Sequence, residues 1–283
     1  METILVPTDF SPVANNAIDY AVQLSIFLNT RIILLNAYHP TLPVNPYPMP
    51  PTNFEIDISA ETDLTHKKTI IERLEDVKKA IFQKYNRDFD IECIAEIGLA
   101  DEVINAVAKE QNVDLIVMGI VGEAGKIKKH LIGSTAIKVA RNQDLPTFII
   151  PDNVKYKRIR KISFACDLNK TEETDLVYIA KFFSRVFDAE LEVVNVEKPE
   201  EVITTEKELT NLFLEKKLKS VKHAITHIEG DNVARELEDY FRSYPTDVIL
   251  LNPKTHNVFY YLFNPSITKE LVFKSHLPIL TIK

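Results

Sequence analysis

The sequence predicts an α/β fold of two tandem, doubly wound, five-stranded parallel sheets. Three observations carry this reading. The chain has 283 residues, about two domains at roughly 100–200 residues each. It also repeats itself. ILVPTD (4–9) is answered by ISFACD (162–167), RIILLNAY (31–38) by ELEVVNVE (190–197), VDLIVMG (113–119) by TDVILLN (246–252), and LPTFIIP (145–151) by LPILTIK (277–283). The order is kept while the offset drifts from 158 through 133 to 132, so one intervening segment is shorter in the second copy. A period near 130 is too long for a solenoid and indicates two copies of one domain. Finally, short, β-branched, almost continuously apolar runs alternate with amphipathic stretches. Parallel strands covered by helices on both faces read this way.

In the first copy the apolar runs place strands near 3–7, 31–37, 90–96, 114–119 and 146–150. Helices fall near 12–29, 60–86, 100–112 and 134–142. In the second of these, Ile70, Ile71, Leu74, Val77 and Ile81 recur at helical spacing and form one apolar stripe. Right-handed crossovers between such elements give an open sheet, expected here in the order 3-2-1-4-5. Segment 39–59 holds six of the 15 prolines and can be neither helix nor inner strand. It reads as a long extended loop, either a lid or contact arm or a plain surface loop. The copies are expected at 1–151 and 157–283, joined by a linker over 152–159. The linker runs into Lys155, Lys157, Arg158, Arg160 and Lys161. In an acidic protein such a cluster is read as a solvated face rather than a nucleic-acid site.

Composition excludes several classes. The net charge of −7 argues against a general nucleic-acid binder. No run of 18 or more apolar residues exists, so no membrane span is expected. The start METILVPTDF has no basic n-region or cleavage site and reads as a first strand. Cys93 and Cys166 lie far apart and form neither a disulfide framework nor, alone, a thiolate metal site. A reducing, cytoplasmic location is the expectation.

Glycine is the unusual residue. There are 6, where average usage would give about 20, and Gly119, Gly122, Gly125 and Gly133 fall within fifteen residues. They follow the fourth strand in MGIVGEAGKIKKHLIGSTAIKVA (118–140), and Gly133-Ser134-Thr135 opens the next helix. A strand, a glycine turn and a helix N-terminus are the parts of a phosphate site, because the backbone can approach an anion and the helix dipole favours it. Ser134 can also be read as a plain N-cap. A P-loop fits worse. Five residues separate Gly119 from Gly125-Lys126, and Ile127 stands where Ser or Thr should hold magnesium. A dinucleotide fingerprint belongs in the first strand-to-helix turn, where this chain has Pro7-Thr8-Asp9-Phe10-Ser11-Pro12. Asp9, at the carboxyl end of strand one, would face the crevice shared with strand four. A carboxylate there suits a ribose hydroxyl or a magnesium ion, and equally an Asx-turn or helix cap.

The PTDFS turn, the strand ending LLNAY and the G-x2-G-x-type loop closing on Gly133-Ser134 resemble the universal stress protein family. The resemblance spans essentially the whole chain as two tandem domains. It implies the Rossmann-like fold just derived and, in one subclass, binding of ATP or ADP, with or without Mg2+. By that resemblance Pro7, Thr8 and Asp9 meet the ribose and adenine side, and the backbone of Ala37 reads the adenine edge. Gly119, Gly122, Gly133, Ser134 and Thr135 match the phosphate loop, and Met118 just before them is also expected to bind the nucleotide. Gly122 to Gly133 spans ten intervening residues, one more than the family pattern, and Gly125 could absorb the extra residue in a bulge. Of Lys126, Lys128, Lys129 and His130, most are read as solvated. Such fifth strands pair between domains in the family, so the copies are expected to pack as an internal pseudo-dimer. Whether the whole chain forms a homodimer is left open.

The second copy keeps Asp167 but carries Asn252, Thr255 and Pro265 where the loop glycines would stand, with Ser266 after them. Pro265 has no N–H for a phosphate. The aromatic stretch Val258–Phe263 reads as packing. One nucleotide site per chain is therefore expected, used for sensing or regulation, with the second copy structural. The alternative is a non-nucleotide interaction protein acting through dimerisation and partner contacts. No catalytic constellation appears. His223 and His227, in the strand pattern VKHAITHI, stand about 13 Å apart along a strand, too far to share a metal. At most, slow ATP hydrolysis is expected.

Overall fold

The computed structural model describes residues 1–39, 60–120, 134–142, 144–168, 171–197, 205–253 and 277–283. The proline-rich segment, most of the glycine loop and the aromatic stretch of the second copy lie outside these residues. In the first half, β1 (Thr3–Pro7), α1 (Pro12–Leu28), β2 (Arg31–Tyr38), α2 (Ala60–Tyr85), β3 (Ile91–Ile97), α3 (Ala100–Glu110), β4 (Leu115–Ile120), α4 (Ser134–Asn142) and β5 (Thr147–Pro151) follow in order. The second half repeats the series with β6 (Lys161–Ala165), α5 (Thr171–Phe187), β7 (Glu190–Glu197), α6 (Thr205–Leu218), β8 (His223–Glu229), α7 (Val233–Ser243), β9 (Val248–Leu251) and β10 (Ile279–Thr281). One detail differs from the sequence reading. β4 continues to Ile120, so Gly119 sits inside the strand rather than ending it.

Among the described residues the strands form one sheet in the order β3-β2-β1-β4-β5-β10-β9-β6-β7-β8. Each half has the expected order 3-2-1-4-5. The halves meet edge to edge, with β10 antiparallel to β5 and Leu280 opposite Phe148. The hydroxyl of Thr281 donates to the carbonyl of Thr147 across this join at 3.2 Å. Joining the fifth strands removes two edges that would otherwise invite aggregation. β1, β5, β6 and β9 are buried almost throughout, whereas β3 and β8 are the partly exposed outer strands. The burial follows from position in the sheet, since only inner strands are covered from all sides.

Local chemistry explains the element boundaries. Ser11 caps α1, its hydroxyl accepting from the N–H of Ala14, and Pro12 fills the first helical turn. α1 and α5 both end on a left-handed residue, Asn29 at φ 55° and Asp188 at φ 52°. The next residue in each case donates back to Ser25 or Ser184. Gly98 and Gly230 close the third strand of each half, donating to the carbonyls of Tyr38 and Glu197. Gly98 has φ +144°, which strains any side chain. These two glycines account for the pair outside the cluster.

An aspartate before the fourth strand is a second repeated device. Asp114 accepts from the backbone N–H of Glu2 and Thr3, and Asp247 accepts from those of Arg160 and Lys161. Each clamps the start of its half's first strand. Asp247 also pairs with Lys157 at 2.8 Å. Burial alone would raise the pKa of this carboxyl, but Lys157 and the two N–H donors hold it below its ordinary 3.8. A carboxyl lowered on folding stabilises the fold above its unfolded pKa, and that contribution fades as pH falls through the folded value. Asp247→Asn should cost about 1–2 kcal/mol at pH 7 and much less near pH 3, read by urea unfolding at both pH values. A cost that does not shrink on acidification would contradict this account.

The basic linker cluster is largely exposed, as expected, with Lys155, Lys157, Arg158 and Arg160 all at the surface, but several of its side chains are engaged. Lys155 donates to Asn16, whose amide in turn binds the carbonyls of Pro151 and Val154. Tyr156 packs edge-on against Tyr20, and Arg158 lies over the ring of Phe27 at 4.5 Å. Lys161 pairs with the buried carboxylate of Glu192 at 3.1 Å. Glu192 also accepts from Ser163 and Tyr240. In the first half the matching positions are Leu5, Ile33 and Val107, all in an apolar cluster. The two halves thus fill the same space with different chemistry.

Candidate functional site

The carboxyl edge of the first half brings together the strand ends named from sequence. β1 and β4 run parallel and adjacent, with Leu5 opposite Ile116. The turn after β1 and the end of β4 therefore lie on one edge. Pro7 is half-buried at the end of β1, Thr8 is buried and Asp9 is exposed. Ala37 is half-buried near the end of β2, opposite Glu96 of β3. Met118 is buried in β4, and Gly119 is half-buried beside it. Ser134 is the first residue of α4, and Thr135 is half-buried in its first turn. Gly122 and Gly133 lie outside the described residues, as does Gly125.

The β1–α1 turn is rigidly held. The N–H of Thr8 donates to the carbonyl of Leu35 at 2.8 Å. The buried side-chain amide of Asn36 donates to the Thr8 carbonyl at 2.7 Å. The Thr8 hydroxyl accepts from the N–H of Phe10, and Asp9 Oδ1 accepts from the N–H of Ser11 at 2.9 Å. The Asx-turn reading of Asp9 is thus realised. Its other oxygen has no protein partner among the described residues. Phe10 takes φ 63°, unusual for an aromatic residue and costing about 1–3 kcal/mol. Its ring lies under the guanidinium of Arg73 at 4.0 Å, which helps offset that cost.

Gly119 is required by packing. A Cβ built on it would stand 2.6 Å from the carbonyl oxygen of Val13 and 2.8 Å from a Val13 methyl. The first turn of α1 therefore lies directly against β4, and only glycine permits it. The site's glycine and its aspartate turn are one construction, because α1 starts from that turn. Sequence reading missed Asn36 and Val13. The recurrence of Asn36 as Asn195 in the repeat was a usable signal; Val13 had none.

The second half keeps the frame and changes the fittings. The N–H of Cys166 donates to Val194 at 3.0 Å, matching Thr8 and Leu35. Asn195 accepts from the N–H of Leu168 instead of donating to the turn. Buried Asn252 stands in place of Gly119. His223 bonds Glu215 at 3.0 Å, and His227 bonds Glu197 at 2.9 Å. Among the described residues no group of three or more His, Cys, Asp or Glu is placed to hold a metal. Cys166 is buried, and burial beside Glu75 pushes the Cys93 thiol up to about 12, so neither is placed to act as a thiolate. Among the described residues no helix is long and apolar enough to cross a membrane.

A doubly wound sheet with its turn and strand end converging at the switch point places the chain among α/β proteins that offer a crevice at the carboxyl edge. The sequence matches the family model for the universal stress protein family over residues 1–151. The chain belongs to the universal stress protein family. No curated protein sequence matches it. Among solved structures it is similar to a universal stress protein from Archaeoglobus fulgidus DSM 4304, at TM-score 0.71 and 18% identity, covering 99% of this chain and 98% of that one. It is also similar to a putative universal stress protein from Pseudomonas aeruginosa UCBPP-PA14, at TM-score 0.52 and 15% identity, covering 100% and 93%. A universal stress protein solved in complex with cAMP matches 53% of this chain and 96% of its own, at TM-score 0.36 and 23% identity.

Proposed function

We propose that the N-terminal unit, residues 1–151, binds one adenine nucleotide, ATP or ADP, as a regulatory ligand, and that the second unit, 157–283, is structural. The observation that carries this reading is the fusion of the aspartate turn to Gly119. The turn presents Asp9 with one carboxylate oxygen free of protein partners among the described residues, next to a strand end that cannot carry a side chain. Asp9 suits a ribose hydroxyl or the Mg2+ of a metal-bound nucleotide. Ala37 offers backbone to an adenine edge, and Pro7, Thr8 and Met118 wall the crevice. Gly119, Gly122, Gly133, Ser134 and Thr135 supply the phosphate side, where N–H groups at the start of α4 favour an anion. Membership of the family agrees with this assignment. In the second unit, buried Asn252 fills the position of Gly119, and Pro265 offers no N–H. Occupancy rather than turnover is read as the signal. A cytoplasmic setting fits these features.

Mass spectrometry of the purified protein, released under denaturing conditions, should detect co-purified ATP or ADP. Calorimetric titration of nucleotide-free protein should give one site per chain for ATP, with cAMP as the competing arm. Gly133→Pro should remove ATP binding while leaving the circular dichroism spectrum intact. Two equivalent sites per chain, or unchanged affinity in this variant, would overturn the assignment.

A further inference from the structure

The outer faces of α5 and α6 differ from their counterparts in the first half. Tyr178, Phe182, Leu209, Leu212 and Phe213 are between 43% and 66% exposed. They form one patch, because the Lys217 ammonium lies 3.8 Å from the rings of both Tyr178 and Phe213. The matching lysine of the first half is Lys84, which pairs with Asp19. Counting from the aligned helix ends, Tyr178 and Phe182 replace Asp19 and Gln23. Counting back from the two lysines, Leu209, Leu212 and Phe213 replace Asp76, Lys79 and Ala80. Asp76 and Lys79 form an exposed ion pair at 3.1 Å. One copy of the design thus carries an ordinary solvated face where the other carries a large apolar one. An apolar cluster with a charged rim marks an interaction surface.

The charge pattern indicates the occupant. α5 and α6 run in the same direction, since both connect parallel strands of one sheet. Of the first turns of these two helices, that of α6 carries the exposed Glu208. Their last turns carry Arg185, Lys216 and Lys217. A surface acidic at one end and basic at the other complements itself when turned through 180°. We propose that this face binds a second copy of the chain through a two-fold axis at Leu212. Glu208, Leu212 and Lys216 are all exposed and lie four residues apart on α6. The axis places Glu208 against Lys216 of the second copy, stacks leucine on leucine, and sets the helix dipoles antiparallel. The sheet edges β5 and β10 are already used within the chain, so this contact lies on a different surface.

Sedimentation velocity of the full-length protein over rising concentration tests the proposal. A monomer–dimer equilibrium is expected, weakening with added salt. Leu212→Glu should weaken it about tenfold or more with no change in the circular dichroism spectrum. Glu208→Lys should also weaken it, and Glu208→Lys with Lys216→Glu should restore it. A monomer at every concentration overturns the proposal, whether or not it cosediments with phosphatidylserine vesicles. A dimer insensitive to Leu212→Glu and to the charge reversals overturns it as well. Nucleotide binding at the other unit is read separately and does not bear on either result.

Discussion

Phe148→Ala should destabilise the protein by about 3–5 kcal/mol, seen as a lower urea midpoint. Phe148 lies in β5, the strand at which the halves join, and is fully buried. Its ring is 5.8 Å from Tyr20 of α1 and 6.2 Å from Phe187 of α5, so it packs helices from both halves onto the join. Phe187 in turn stacks on Phe183, 5.9 Å away. Truncation leaves a cavity that neither helix can close alone, because each is also held by its own strands. The loss should exceed that of an ordinary buried residue within one half. A change below about 1 kcal/mol would show that the two halves do not share a core at Phe148.

Gly119→Val should cost about 3 kcal/mol or more and should also impair ATP binding. The added Cβ would meet the Val13 backbone, which cannot rotate away as a long side chain could. α1 would have to move off β4, carrying with it the turn of Thr8, Asp9 and Ser11. Thermal unfolding and calorimetric titration check the two effects together. Full stability in the variant would contradict the packing role of Gly119. Lost stability with native ATP affinity would separate packing from the site.

Much of the fold is legible because its period is. Continuous apolar runs can only be strands covered on both faces, and the four aligned blocks force the second half to repeat the first. The strand limits therefore fall within a residue or two of their observed positions. The turn at Asp9 was also legible as a place, from its position after strand one. Its hydrogen bonds were not. Asn36 is 28 residues from the Thr8 carbonyl it binds, and no local pattern joins them. The linker illustrates the same limit. Its basic residues look solvated by composition, yet Lys157 finds Asp247 and Lys161 finds Glu192 only after the second half has folded.

By itself, the sequence determined the two-copy α/β plan, the strand positions and the concentration of glycine after the fourth strand. These depend on periodicity and on backbone permissiveness, which are local properties. Tertiary structure decided that two sheets become one through β5 and β10, that Gly119 is there for Val13, and that the second half holds a buried carboxylate where the first holds isoleucine. It also decided which helix faces remain uncovered. Each of these depends on which residues meet across the sheet, and such meetings exist only once the chain has closed on itself.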